Sequence, residues 1–303
     1  MAVEQNQRAA ITAGVVCYLL WGFLPLYFHL LSLFGVNAFE TIAHRTVWSV
    51  VWAGGLVVLA KQAKQVRRVL SEPKVLAWLA ASTAAIFINW TVYVVAVHAG
   101  HVIEASLGYY INPLMNMAAG ALLFRERMTG AGKIAISLAG IGVIVQTIAI
   151  GHLPVLSLAL AASFCAYAVI RKRVAVDAQT GLFFECAYLA LPGLAYVLWL
   201  ERTGAGHFTD GANIALLLML AGPATVAPLA LFAWAARRMP LSTMGFLQFL
   251  APTIQFLIGV ALGEAFTPLR ALSFAFIWAG VAVFAYGAWK AGQRARLAVQ
   301  SAA

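Results

Sequence analysis

The sequence predicts an all-α integral membrane protein: ten transmembrane helices in two inverted five-helix repeats. Three observations carry this. Of 303 residues, 63% are hydrophobic and only 10% charged, against roughly 45–50% apolar and about 25% charged in a soluble domain. Ten apolar stretches, each near the ~20 residues that a bilayer core requires, fill most of the chain. The basic residues crowd into alternate loops. Twenty basic and 10 acidic side chains cannot coat a 32.4 kDa globule, and the mean hydropathy is +0.89. Soluble enzymes, nucleic-acid-binding modules and disordered chains are excluded on those grounds.

The elements follow in order. The segment MAVEQNQRAA leads into a long apolar run with no small-residue cleavage site, which reads as a first transmembrane helix rather than a signal peptide. Spans are expected near 10–32, 37–60, 75–97, 102–124, 131–150, 153–171, 181–200, 213–235, 241–262 and 269–289. The loops between them are too short for a soluble domain. With the N-terminus inside, the cytoplasmic segments hold Arg8; Lys61, Lys64, Arg67, Arg68 and Lys74; Arg125, Arg127 and Lys133; Arg171, Lys172 and Arg173; Arg237 and Arg238; and Lys290, Arg294 and Arg296. The opposite side holds only Arg202 and Arg270, and Arg45 lies within a span. This bias predicts both termini in the cytoplasm, in a plasma membrane. It also accounts for the net charge of +10 without a nucleic-acid partner. Trp78, Trp199 and Trp289 sit near span ends as interfacial anchors. Cys17, Cys165 and Cys186 fall in apolar stretches and read as reduced packing residues. The six histidines map to the outer half or outer loops and read as interfacial polarity. No metal or cofactor is expected.

An internal repeat of about 140 residues runs through the chain. The stretch 96–114 resembles 233–253: Ala96 matches Ala233, Ala99 matches Ala236, Gly108 matches Gly245 and Tyr109 matches Phe246. Pro113 then matches Pro252, Gly120 matches Gly259, Glu126 and Thr129 match Glu264 and Thr267, and Gly140 matches Gly280. The division is residues 1–150 and 151–303, five helices each. An odd number of crossings inserts the second half upside down, which predicts inverted repeats around a shared central site and hence a transporter.

The segments WGFLPLYF (21–28), HRTVWS (44–49), NW (89–90), EASLGYYINPL (104–114), RER (125–127), VIRKRVAVDAQTG (169–181), LSTMGFLQFLAPT (241–253) and FAFIW (274–278) occur in this order. Together they resemble the RarD-type branch of the EamA family, in the drug/metabolite transporter superfamily. The likeness covers nearly the whole chain, and EASLGYYINPL is its most specific part. It implies a ten-helix inner-membrane carrier of two five-helix repeats, similar to the YddG-type amino-acid exporters. The usual label of the RarD branch refers to chloramphenicol sensitivity.

Ionisable groups within spans are functional candidates, because burying them in lipid costs a few kcal/mol. Glu40 and His44 share a face of the second span, beside Arg45. Arg45 reads in two ways: a bidentate clamp for a substrate carboxylate, or a structural partner of Glu40 or of the backbone. Glu40 and Glu185 occupy comparable places in the second and seventh spans. They could couple proton flow to transport, or cap helix N-termini. Asn89, Trp90 and Tyr93 fall in the third span, and Tyr109 and Asn112 in the fourth beside Pro113. Gln248 and Gln255 lie in the ninth span beside Pro252. Ser163 and Tyr167 share a face of the sixth span, and Trp21 and Pro25 mark the first. Pro25, Pro113 and Pro252 are expected kinks or gates. These polar and aromatic residues read as cavity lining, or as ordinary helix glue.

The function expected is export of small metabolites, amino acids first and with apolar or aromatic side chains, by alternating access. The alternative is efflux of drugs or organic cations. No Ser-His-Asp set, HExxH or aspartate dyad suggests an enzyme, and no GxxxxGK[ST] loop suggests ATP coupling. The implied partners are a small-molecule substrate and the lipid bilayer, with no obligatory protein partner.

Overall fold

The computed structural model describes residues 2–125, 129–236, 238 and 247–301. The described elements are α1 (Ala2–Leu33), α2 (Ala38–Leu59), α3 (Ala63–Leu70), α4 (Pro73–His98), α5 (Val102–Phe124), α6 (Gly130–Ile150), α7 (Val155–Arg173), α8 (Ala178–Thr203), α9 (Ala212–Ala236), α10 (Leu250–Ala261) and α11 (Pro268–Ser301). Eight of these are long and apolar enough to cross a membrane. The count of ten is therefore not reproduced as such. The other two expected spans are α5, diluted by Ser106, Tyr109, Tyr110, Asn112 and Asn116, and α10, which is only 12 residues long. The predicted matches at Gly245, Phe246 and Glu126, and the basic residues Arg127 and Arg237, lie outside the described residues.

Large apolar side chains cover the outside of the bundle, among them Leu122, Leu59, Leu191 and Val58. Such a surface suits hydrocarbon, where every backbone group must be bonded within its own helix. Trp78 and Trp199 are exposed near the ends of their helices, and Trp289 is exposed just past the apolar part of α11, Pro268–Gly287. The helices alternate in direction. The turns before α2 and α5 and the loop before α9 gather at one end with Glu40. The α2–α4 and α7–α8 connections meet at the other, where Val69 packs with Val174.

The α2–α4 connection was expected as a loop and contains α3. Val66 and Val69 stand one turn apart there and pack against Leu79, Val174 and Phe184. Eight residues are too few for a span, so hydropathy gives no sign of this helix.

Packing is close where glycines face neighbouring helices. A Cβ on Gly222 of α9 would lie 2.8 Å from the Trp48 carbonyl oxygen of α2. One on Gly142 of α6 would lie 2.6 Å from Ile277 of α11. Helix α1 packs on α9 and α10, and α7 packs on α4 and α5. Helices α2 and α8 pack on each other, as do α6 and α11.

Pro25 and Pro113 stand inside α1 and α5, as expected. Pro252 does not. A turn at Gln248 and Phe249 precedes α10, and Pro252 occupies its first turn, where a missing N–H breaks no helical bond. The ninth span thus has a break before Pro252 rather than a kink at it. Pro192, Pro223 and Pro228 also lie inside helices.

Candidate functional site

Four groups of buried polar residues run through the bundle. The first surrounds Arg45, which is 5% exposed. Asn37 caps α2 by accepting the Glu40 amide, and Arg45 stands eight residues further in. Its Nε donates to Thr225 Oγ1 of α9 at 2.9 Å. Thr225 itself donates to the Ala221 carbonyl, so its oxygen lone pairs face the guanidinium. The guanidinium carbon lies 4.3 Å from the Trp90 ring centre and 5.8 Å from that of Phe28. Arg45 Nη1 is buried and has no hydrogen-bond partner among the described residues. The Arg45–Glu40 pair, one of the structural readings of Arg45, is not formed.

Tyr93 and Tyr109 continue this group. Their rings meet edge to face at 5.4 Å, and Tyr93 also meets Phe28 at 6.0 Å. Tyr93 Oη is buried without a partner. Tyr109 Oη donates to Asn89 Oδ1 at 3.4 Å. The Asn89 amide nitrogen donates to the Leu160 carbonyl and to Ser163 Oγ of α7, which fixes its orientation. The structure therefore joins Arg45, Trp90, Tyr93, Tyr109, Asn89 and Ser163 in one polar and aromatic cluster at the meeting of α1, α2, α4, α5, α7 and α9.

The second group seals the Glu40 end. Glu40 is fully buried. Its carboxylate accepts the His207 backbone N–H at Oε1 and meets His207 Nδ1 at Oε2, both at 2.8 Å. The next residue, Phe208, stacks on His44 at 5.2 Å and on Trp48 at 6.0 Å. The loop before α9 thus straps across the end of α2. Glu201 holds it from the other side, accepting the Phe208 N–H and the Thr209 hydroxyl. Sequence reading missed Glu201, and it took His207 for interfacial polarity. No local pattern links His207 to a carboxylate 167 positions away.

The third group lies toward the other end around Glu185, which is 1% exposed. Its carboxylate accepts Ser82 Oγ of α4 at 2.8 Å and Tyr167 Oη of α7 at 3.3 Å, and stands 3.7 Å from Arg171 Nε. A Cβ on Gly181 would overlap the Arg171 guanidinium, so glycine there leaves that side chain its place against α8. Counted from the caps, Glu185 stands eight residues after Asp177, as Arg45 stands eight after Asn37. By this count Glu185 and Arg45 share a position relative to their helix starts, as Thr180 and Glu40 do. Thr180 meets the α2–α4 connection in its turn: its N–H and hydroxyl both donate to Gln62 Oε1.

The fourth group involves α10 and α5. Gln255 donates to the Trp21 carbonyl and leaves its own Oε1 unpartnered. Tyr110 and Thr253 share a hydrogen bond at 2.6 Å. Asn112 is buried with Oδ1 unpartnered. Gln248 is half-buried at the turn before α10. None of these five reaches Arg45 by a described bond. Glu264 accepts the N–H groups of Val102 and Ile103, which open α5 and have no partner within the helix. Burial raises the pKa of this carboxyl, against the pull of those two donors.

No protein-family model matches the chain. Full-length relatives do. An uncharacterized transporter of Pseudomonas aeruginosa is 42% identical over 95% of this chain and 97% of its own length. A protein RarD of Streptomyces exfoliatus is 39% identical over 100% of this chain and 96% of its own. A solved crystal structure shares the fold with a TM-score of 0.60 at 21% identity, over 93% of this chain and 98% of that one. With relatives matched end to end at this level, and apolar helices able to cross a membrane several times over, the chain belongs to the RarD family of multi-pass membrane transporters.

Proposed function

We propose that the chain is a secondary carrier of the inner membrane, with both termini cytoplasmic, that exports amino acids by alternating access. The observation that carries this reading is the cluster around Arg45. It is a buried, partly unsatisfied polar site walled by aromatic rings, where helices from both halves of the chain meet. Leaving such groups unpaired in a bundle core costs free energy that ordinary helix packing does not recover. A substrate that supplies the missing partners accounts for them.

Division at residue 150 into inverted repeats is supported by the packing. Exchanging α1, α2, α4, α5 and α6 for α7, α8, α9, α10 and α11 turns the α1 contacts with α9 and α10 into the α7 contacts with α4 and α5. It leaves the α2–α8 and α6–α11 pairs unchanged. Thr129 and Thr267, matched in sequence, both accept the N–H three residues on at the start of their helices. Two such halves rocking about the Arg45 cluster would open it to each side in turn. The seal of His207 and Phe208 at one end, and the Glu185 and Gln62 contacts at the other, would be the parts that yield. Glu185, and less directly Glu40, would be the groups through which a proton could bias that movement.

Amino acids are favoured over organic cations because both span carboxylates are engaged, Glu40 with His207 and Glu185 with Arg171, Ser82 and Tyr167. The purified protein in liposomes loaded with unlabelled amino acids is expected to give saturable counterflow of a labelled aromatic amino acid. Saturable flux of organic cations with none of any amino acid would reverse the assignment.

A further inference from the structure

The Arg45 guanidinium is a cation buried in a membrane bundle with no anion beside it. Its one described hydrogen bond is from Nε to a neutral hydroxyl. No carboxylate among the described residues forms an ion pair with it; the three described pairs are Arg68–Glu72, Arg171–Glu185 and His207–Glu40. The nearest acid in sequence, Glu40, is turned to His207. A structural arginine at this depth would be expected to bring its own counter-charge, because an unpaired buried charge costs several kcal/mol.

The free valence has a direction. With Nε held by Thr225 and the face of the group on Trp90, what remains is the end-on fork of Nη1 and Nη2, for which no described partner exists. Two parallel N–H donors in one plane match the two oxygens of a carboxylate. Beside the fork stands a second orphan, Tyr93 Oη, with the Tyr109 ring at its edge. Asn89 Oδ1 accepts only the long bond from Tyr109 and can take a further donor, such as an ammonium.

We propose that Arg45 recognises the substrate's carboxylate: its Nη1/Nη2 fork binds the anionic end of an amino acid whose side chain lies along Trp90, Tyr93 and Tyr109. This rests on the export reading and narrows it to substrates that carry a free carboxylate.

The test is competition in proteoliposomes, with labelled phenylalanine as tracer. Unlabelled phenylalanine is compared with its amide, its methyl ester and phenethylamine. All three keep the ammonium and the ring and lose the negative charge. The wild type is expected to prefer the acid by at least about tenfold, the scale of a lost charged hydrogen bond. Arg45→Gln is expected to lose about tenfold or more in flux and to accept the amide as well as the acid. Arg45→Lys, which keeps the charge without the fork, should fall between. Equal competition by acid and ester on the wild type overturns the proposal even if Arg45→Gln fails to fold. So does an Arg45→Gln protein that keeps wild-type flux and preference. No saturable flux of any amino acid by the wild type defeats the export reading and this assignment together; flux without acid preference defeats the assignment alone.

Discussion

Arg45 shows what a single position can and cannot announce. That an arginine inside an apolar span needs explaining is plain from the sequence. That it lacks an acidic partner is not, because Glu40, five residues before it, is the obvious candidate. The structure spends Glu40 on His207 instead, and this is testable in its own right. His207→Ala removes the imidazole and leaves a fully buried carboxylate with one backbone donor. Leaving a buried carboxylate short of one hydrogen-bond donor costs about 1–3 kcal/mol, and because the imidazole is a quarter exposed roughly 1–2 kcal/mol is expected. Thermal unfolding in detergent should show the loss, and His207→Gln should recover part of it. An unchanged midpoint for His207→Ala would mean that the strap is not held there. Gly181→Ala makes a parallel case at the other end. Its methyl group would evict the Arg171 guanidinium, and about 1–3 kcal/mol of stability should go with it.

At the scale of helices, apolar runs of the right length set the spans, and eight of the ten expected ones are described as helices long and apolar enough to cross a membrane. What hydropathy does not resolve is how each begins, bends or breaks. It gives no notice of α3, whose buried Val69 and partly buried Val66 are too few to register, or of the turn at Gln248 that makes Pro252 a helix start. Nor does it say which glycines are contacts. Gly140 and Gly142 sit two residues apart on α6 and look alike in sequence. A Cβ at Gly140 meets nothing within 4 Å, whereas one at Gly142 runs into Ile277 and the Ser273 carbonyl. Gly140→Ala should therefore be neutral or stabilising by up to about 1 kcal/mol. Gly142→Ala should push α11 away and cost about 1–3 kcal/mol. Equal effects of the two on the unfolding midpoint would contradict the α6–α11 packing. Glu264 makes a similar point about helix ends. It caps α5 from a loop more than 160 residues away, so Glu264→Ala should cost about 1–2 kcal/mol, like the loss of any cap.

At the scale of the whole molecule, the proposed repeat rests in the sequence on matched residues that recur about 140 positions apart. Thr129 and Thr267 turn out to do the same work at the starts of α6 and α11. The charge pattern across the repeat was not legible. Sequence reading set Glu40 against Glu185; under the proposed repeat, counting from the caps at Asn37 and Asp177 sets Arg45 against Glu185 instead. Only the helix starts fix that register, and apolar sequence on either side leaves it free to slide.

The proposed transport cycle requires the central polar cluster, buried in this conformation, to open to both sides of the membrane in turn. Thr225, 2% exposed and bonded to Arg45, is the place to look. In a background with Cys17, Cys165 and Cys186 replaced, Thr225→Cys should react with a membrane-impermeant thiol reagent applied from either face of sealed vesicles, and saturating amino acid should slow both reactions. Labelling from one face only, or from neither, would contradict alternating access through this cluster.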